Sequence, residues 1–202
     1  MAVAREGVTR PGNRTRLTDC FSQFFTNAGR WRGCVEDRQI WRRAKEAAEA
    51  NYDRLSPATR ARLDCLLELI MGLKEELFQL SSAAGSAHIC RECGGRCCLN
   101  GKYHVSVLDL VAYRSAGVAP VMPDFDKAPL CPYGGAEGCL MPPRFRSLTC
   151  LIFNCELVDD RMEPCSRDRF NVCERELRGA VAMADDLLAC RAGRALMLSC
   201  DG

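Results

Sequence analysis

Residues 56–80 read SPATRARLDCLLELIMGLKEELFQL, and this stretch decides the fold class. Leu63, Leu66, Ile70, Leu73, Leu77 and Leu80 recur at steps of 3, 4, 3, 4 and 3. That spacing lines one face of an α-helix as a heptad seam. Ser56 can accept a hydrogen bond as N-cap and Pro57 suits the first helical position, so the helix is predicted over about 57–80. Upstream, Trp41, Ala44, Ala48, Asn51 or Tyr52, and Leu55 follow the same period around the helix-forming run RRAKEAAEA. This predicts a first helix between Val35 and Leu55. The short link between the two predicts an antiparallel hairpin. Downstream, Phe170, Cys173, Leu177, Ala180 or Val181, Ala184 and Leu187 or Leu188 predict a third helix over about 167–191, with Ser166 as its N-cap.

Between these helices the period disappears. Residues 105–113, VSVLDLVAY, suggest one short helix, and 118–150 is crowded with Pro and Gly. So long a stretch with little regular structure needs something to hold it, and metal ligation can do so because binding free energy becomes folding free energy. The expected architecture is therefore mainly α. Residues 1–30 form a disordered tail, 31–86 a helical hairpin, 87–156 an irregular, metal-stabilised cysteine-rich module, and 157–202 a C-terminal helix packing on the hairpin.

The chain has 202 residues, 48% hydrophobic and 27% charged, with a net charge of +2. That composition is globular, and the charge balance gives no reason to expect nucleic acid or an anionic membrane as partner. No run resembles a signal peptide's apolar region or a membrane span, so the expected location is cytoplasmic, without membrane association. There, 15 cysteines point to metal or redox chemistry before disulfide staples.

Eight of the cysteines fall in the central block: Cys90, Cys93, Cys97, Cys98, Cys131, Cys139, Cys150 and Cys155. Two residues between Cys90 and Cys93 let both sulfurs reach one ion at about 2.3 Å, and Gly94-Gly95 lets the backbone turn. Adjacent Cys97 and Cys98 point apart, so either one of them packs as a small hydrophobe or the block holds two metals or a cluster. All eight are candidate ligands, for a zinc or iron ion in one site or two, or alternatively for an iron–sulfur cluster.

His88 and His104 flank the first four cysteines and could each complete a mixed site, and Cys165 could supply a ninth ligand. Cys173 lies on the apolar face of the last helix and reads as core. Asp109 reads as a residue that caps or orders the module. No nucleophile and base pair, phosphate-binding glycine loop or H-E-x-x-H helix is visible, so catalysis is not expected.

The cysteine block, CRECGGRCC followed by SVLDLVAY and LCPYGGAEGCLMPPRFRSLTCLIFNC, resembles the YkgJ-type cysteine-cluster family (CxxCxxxCC), a zinc- or iron-chelating domain. Cys131-Pro132, Cys139, Cys150 and Cys155 fill that family's later cysteine positions, and Asp109 matches its recurring Asp. Arg146-Ser147 stands where the family has Arg-Pro. The resemblance spans residues 90–156 and implies metal chelation without an established reaction. Three readings follow: a metal-binding protein whose helices meet a protein partner, an iron–sulfur protein or oxidoreductase component, or a thiol sensor built on Cys97-Cys98.

Overall fold

The computed structural model describes residues 34–199 apart from Cys93 and Gly95, and without the side chains of Cys34, Arg96, Cys97, Asn100, Leu198 and Ser199. The expected 1–30 tail lies outside the described residues. The fold is mainly helical, as expected. In chain order α1 is Cys34–Asp53, α2 Pro57–Ala83, α3 Ser86–Glu92, α4 Val107–Ser115, α5 Leu148–Ile152, α6 Glu156–Asp159, α7 Pro164–Leu188 and α8 Leu196–Ser199. A two-stranded hairpin of β1 (Gly134–Gly135) and β2 (Gly138–Cys139) interrupts them, along with 3-10 turns at Arg96–Tyr103, Phe125–Lys127 and Pro143–Phe145.

The start of α2 is the predicted one. Ser56 Oγ accepts from the Thr59 amide at 3.2 Å and Pro57 opens the first turn. Its buried stripe differs from the predicted seam: Leu63, Ile70, Leu73 and Leu77 are buried as expected, Leu66 and Leu80 only partly, and Leu67, Met71 and Lys74 join them. The difference reflects two partners. One is α7, which runs antiparallel to α2 and buries Phe170, Cys173, Leu177, Ala180, Ala184 and Leu188 against it. The other is the Pro143–Phe145 turn with α4 and α5. Each fully buried Leu in this seam contributes about 1.5–3 kcal/mol.

Two expectations about the helices are corrected. The first two helices meet near their link, where Tyr52 Oη donates to Asp64 Oδ1 at 2.7 Å, but they do not run along one another. Instead α1 packs on α4, α8 and the Phe125–Lys127 turn. A short link fixes where two helices join, while the apolar faces decide what each lies against. The N-cap of α7 is Glu163, not Ser166, because Pro164 takes the first helical position and starts the helix earlier.

The module also departs from the expectation that metal must replace a core. Every residue from Val105 to Tyr113 is buried, so α4 is the centre of the protein. Phe125, Tyr133, Met141, Phe145 and Leu151 join the same core from the Pro- and Gly-rich stretch. A stretch buried at every position has no exposed face to set a period, so its central place leaves no periodic trace in the sequence.

Polar links fasten the module to its surroundings. Ser106 Oγ accepts from the Asp109 amide at 3.2 Å while Asp109 Oδ2 accepts from the Ser106 amide at 2.8 Å, a reciprocal capping box at the start of α4. Asp109 Oδ1 also accepts from Lys74 Nζ of α2 at 2.7 Å, with both side chains almost wholly buried. Asp109 thus orders the module, as its position suggested. Several contacts bind α1, among them Trp41 Nε1 donating to Tyr133 Oη at 2.9 Å, Lys102 Nζ donating to buried Asp37 at 2.9 Å and Arg114 donating to both Asp53 carboxylate oxygens.

Candidate metal centre

The turn Cys131-Pro132-Tyr133-Gly134 begins the site. The Gly134 amide donates to the Cys131 carbonyl at 3.0 Å, and the β1–β2 ladder pairs Gly134 with Cys139, returning Cys139 to the neighbourhood of Cys131. Gly138 closes this hairpin at φ +116°, where a side chain would be strained. Burial pushes the Cys131 thiol up, Cys139 adds to the rise, and the backbone N–H groups of Tyr133 and Gly134 act on it in the opposite direction. Amides aimed at a sulfur favour its thiolate, the form that binds metal.

The 3-10 turn Arg96–Tyr103 approaches from the other side. Gly101 is buried, and a Cβ there would lie 2.3 Å from Cys131 Sγ. The backbone therefore forms a close cradle for this sulfur that only glycine can supply. The same turn carries Cys98, which is exposed.

Cys150 comes from α5. Its residue keeps contact with solvent, yet protein crowds the thiol from most directions. Burial is the main reason its pKa rises steeply, and Cys139, Cys131 and Cys98 raise it further. Four sequence segments thus bring Cys98, Cys131, Cys139 and Cys150 into one electrostatic neighbourhood. His104 Nδ1 lies 3.2 Å from Cys150 Sγ. Burial lowers the His104 pKa below its ordinary value, so the imidazole is neutral at pH 7 and has a nitrogen lone pair to offer.

Several residues hold these parts in place. Ser147 stands where a Pro was expected on the resemblance, and its Oγ donates to the His104 carbonyl at 2.6 Å, restraining the entry to α5 by a hydrogen bond. Arg146 donates to the carbonyls of Met141 at 2.8 Å and Cys139 at 3.3 Å, and lies 4.7 Å over the Phe78 ring of α2. The hairpin end that carries Cys139 is thereby clamped to the long helix. Beneath it, Tyr113 stacks on Phe145 with ring centroids 4.0 Å apart. The Tyr113 hydroxyl is buried without a properly aligned hydrogen bond, although the Val121 backbone and Cys139 both influence it.

No family model, curated protein or solved structure matches the chain.

Of the eight predicted ligands, Cys98, Cys131, Cys139 and Cys150 are brought together as described. Cys90 is half-buried on α3, and Cys155 is half-buried at the N-terminus of α6. Helix α3 packs on both α6 and β2, so these two thiols belong to elements that border the same region. Cys93 and the Cys97 side chain lie outside the described residues. His88 is exposed beside Glu92 of its own helix at 3.3 Å. Cys165 is exposed in the first turn of α7, and Cys173 is fully buried, as its place on the apolar face predicted.

Among the described residues, no three His, Cys, Asp or Glu side chains form a ready-made ligand set. Protonated thiols carry no charge that would draw them to ligand spacing. The donor chemistry nevertheless fits a soft ion: four thiols, one neutral imidazole, amides directed at one sulfur and a glycine cradle behind it. No helix among the described residues is long and apolar enough to cross a membrane.

Proposed function

We propose that the protein binds zinc or iron through its central cysteines, with Cys98, Cys131, Cys139 and Cys150 as one centre and the remaining members of the block beside it. The observation that carries this reading is that Cys98, Cys131 and Cys139 all lie near enough to Cys150 to raise its pKa, with Cys131 itself seated against Gly101 and the Tyr133 and Gly134 amides. An ion there supplies positive charge that makes thiolates of thiols and cross-links the segments. A closed set of thiolates is characteristic of a structural centre.

The test is metal and acid-labile sulfide analysis of protein expressed without added metal and purified without oxygen. Zinc or iron retained at one or two ions per chain, without sulfide, supports the proposal. Iron with sulfide replaces it by the iron–sulfur reading, and protein that neither retains nor takes up metal overturns it.

A further inference from the structure

The geometry points to a mixed centre in which His104 contributes nitrogen alongside the thiolates, and this inference rests on the chelation proposed above. Zinc–nitrogen and zinc–sulfur bonds of about 2.0–2.1 and 2.3 Å at a tetrahedral angle place the two donor atoms about 3.5 Å apart. His104 Nδ1 and Cys150 Sγ are separated by 3.2 Å, a few tenths of an ångström from one edge of such a tetrahedron. A single ion can therefore take both with a small adjustment.

The imidazole is held for this role from its own backbone. The His104 amide donates to the Gly101 carbonyl at 3.2 Å, linking it to the glycine that cradles Cys131 Sγ. Its carbonyl accepts from Ser147 Oγ at 2.6 Å, linking it to the first residues of the helix that carries Cys150. These bonds fix the His104 backbone between the two segments, so that the imidazole needs only its own side-chain torsions to stay at Cys150 Sγ. His104 also borders a small cavity of about 60 Å³ whose lining mixes Lys74, Ser106, Asp109 and Ser147 with aliphatic side chains. Its volume is sufficient for water, and such a chamber beside a ligating imidazole supplies the outer hydrogen-bonding groups that ligand histidines use.

Cobalt(II) titration of reduced, metal-free protein tests the assignment, comparing the natural chain with His104→Ala and with His88→Ala as control. The natural chain should give tetrahedral cobalt bands with sulfur-to-metal charge transfer. His104→Ala should retain the charge transfer but shift the visible bands, and its zinc affinity should fall at least 10- to 100-fold. His88→Ala should match the natural chain. Should His104→Ala fail to fold, nitrogen-15 spectra of the histidine rings in the natural chain decide the matter, since it has only 2 histidines and the control identifies them. Zinc should move the His104 Nδ1 resonance to the metal-bound range.

If the natural chain binds none of cobalt(II), zinc and iron(II), the chelation reading itself fails. If it binds cobalt and zinc while the His104→Ala bands and affinity are unchanged, or the His104 ring is unmoved by zinc, chelation stands and His104 is not a ligand.

Discussion

Along the α2–α7 seam, Leu63, Leu67, Ile70, Leu77, Cys173 and Leu177 bury themselves at helical intervals, each step supported by its own backbone ladder. In the cysteine module the chain changes direction every few residues. Its order depends on individual contacts: the Lys74–Asp109 ion pair, the Ser106 cap, the Arg146 clamp, the Ser147 bond and the Gly101 cradle. Both regions exclude water from apolar side chains. The seam distributes its stability over many similar contacts, whereas the module concentrates it in a few dissimilar ones. Single substitutions should therefore have very different consequences in the two places.

The largest effect is expected where the regions meet. Lys74→Met leaves Asp109 buried without its counter-charge, and removing one partner of a buried pair costs about 3–5 kcal/mol. Urea unfolding at pH 7 measures it, and a loss below about 1 kcal/mol would show that Asp109 has another source of compensation.

Gly101→Ala comes next. It drives a Cβ into Cys131 Sγ, and overpacking of this kind costs about 1–3 kcal/mol. Hydrogen exchange should rise around residues 96–104 and 131–139 while α2 and α7 stay protected, and zinc uptake should weaken. Uniform loss of protection would mean that the module and seam unfold as one unit.

The smallest effect is one of pH, and it belongs to the seam. Cys173 has its thiol pushed up to about 11, first by burial and then by the Glu76 carboxylate beside it. Because the folded value exceeds the ordinary value of 9.0, the contribution of the protonated thiol is complete below pH 9 and is lost as pH rises from 9 towards 11. Cys173→Ala should flatten the decline in unfolding free energy over that interval, in the presence or absence of a chelator. An unchanged slope would place the alkaline titration elsewhere.

The same contrast governs how much the sequence reveals. Ser56-Pro57 and the leucines after it announce α2, and Phe170 to Leu188 announce α7, because periodic contacts leave a periodic trace. The stretch 105–113 leaves none: its residues are buried on every side, and its central place becomes visible only in three dimensions. Lys74 reads as a solvent-facing charge until Asp109 is placed opposite it.

For the centre, the cysteine spacing identifies the donors, and the pair Asp109 and Ser106 can be recognised as a cap. Arg146, Ser147 and Gly101 are harder to find, since the first two work through backbone carbonyls and the third through the absence of a side chain. Such roles depend on where distant peptide groups lie. A glycine between Asn100 and Lys102 carries no mark of the sulfur behind it.

One feature near the end of the chain bears on the order of synthesis. The Leu108 amide donates to the Ala192 carbonyl at 2.9 Å, the Leu196 amide donates to the Val105 carbonyl at 2.7 Å, and Ser106 pairs with Ala195 in an antiparallel bridge. The first turn of the central helix is thus closed by residues translated some ninety positions later. On the ribosome, the cysteine segments and the central helix emerge well before the residues that close its first turn. The central helix thus lacks its native closure until residues 192–196 have emerged, and the module packed on it cannot take its final form before then.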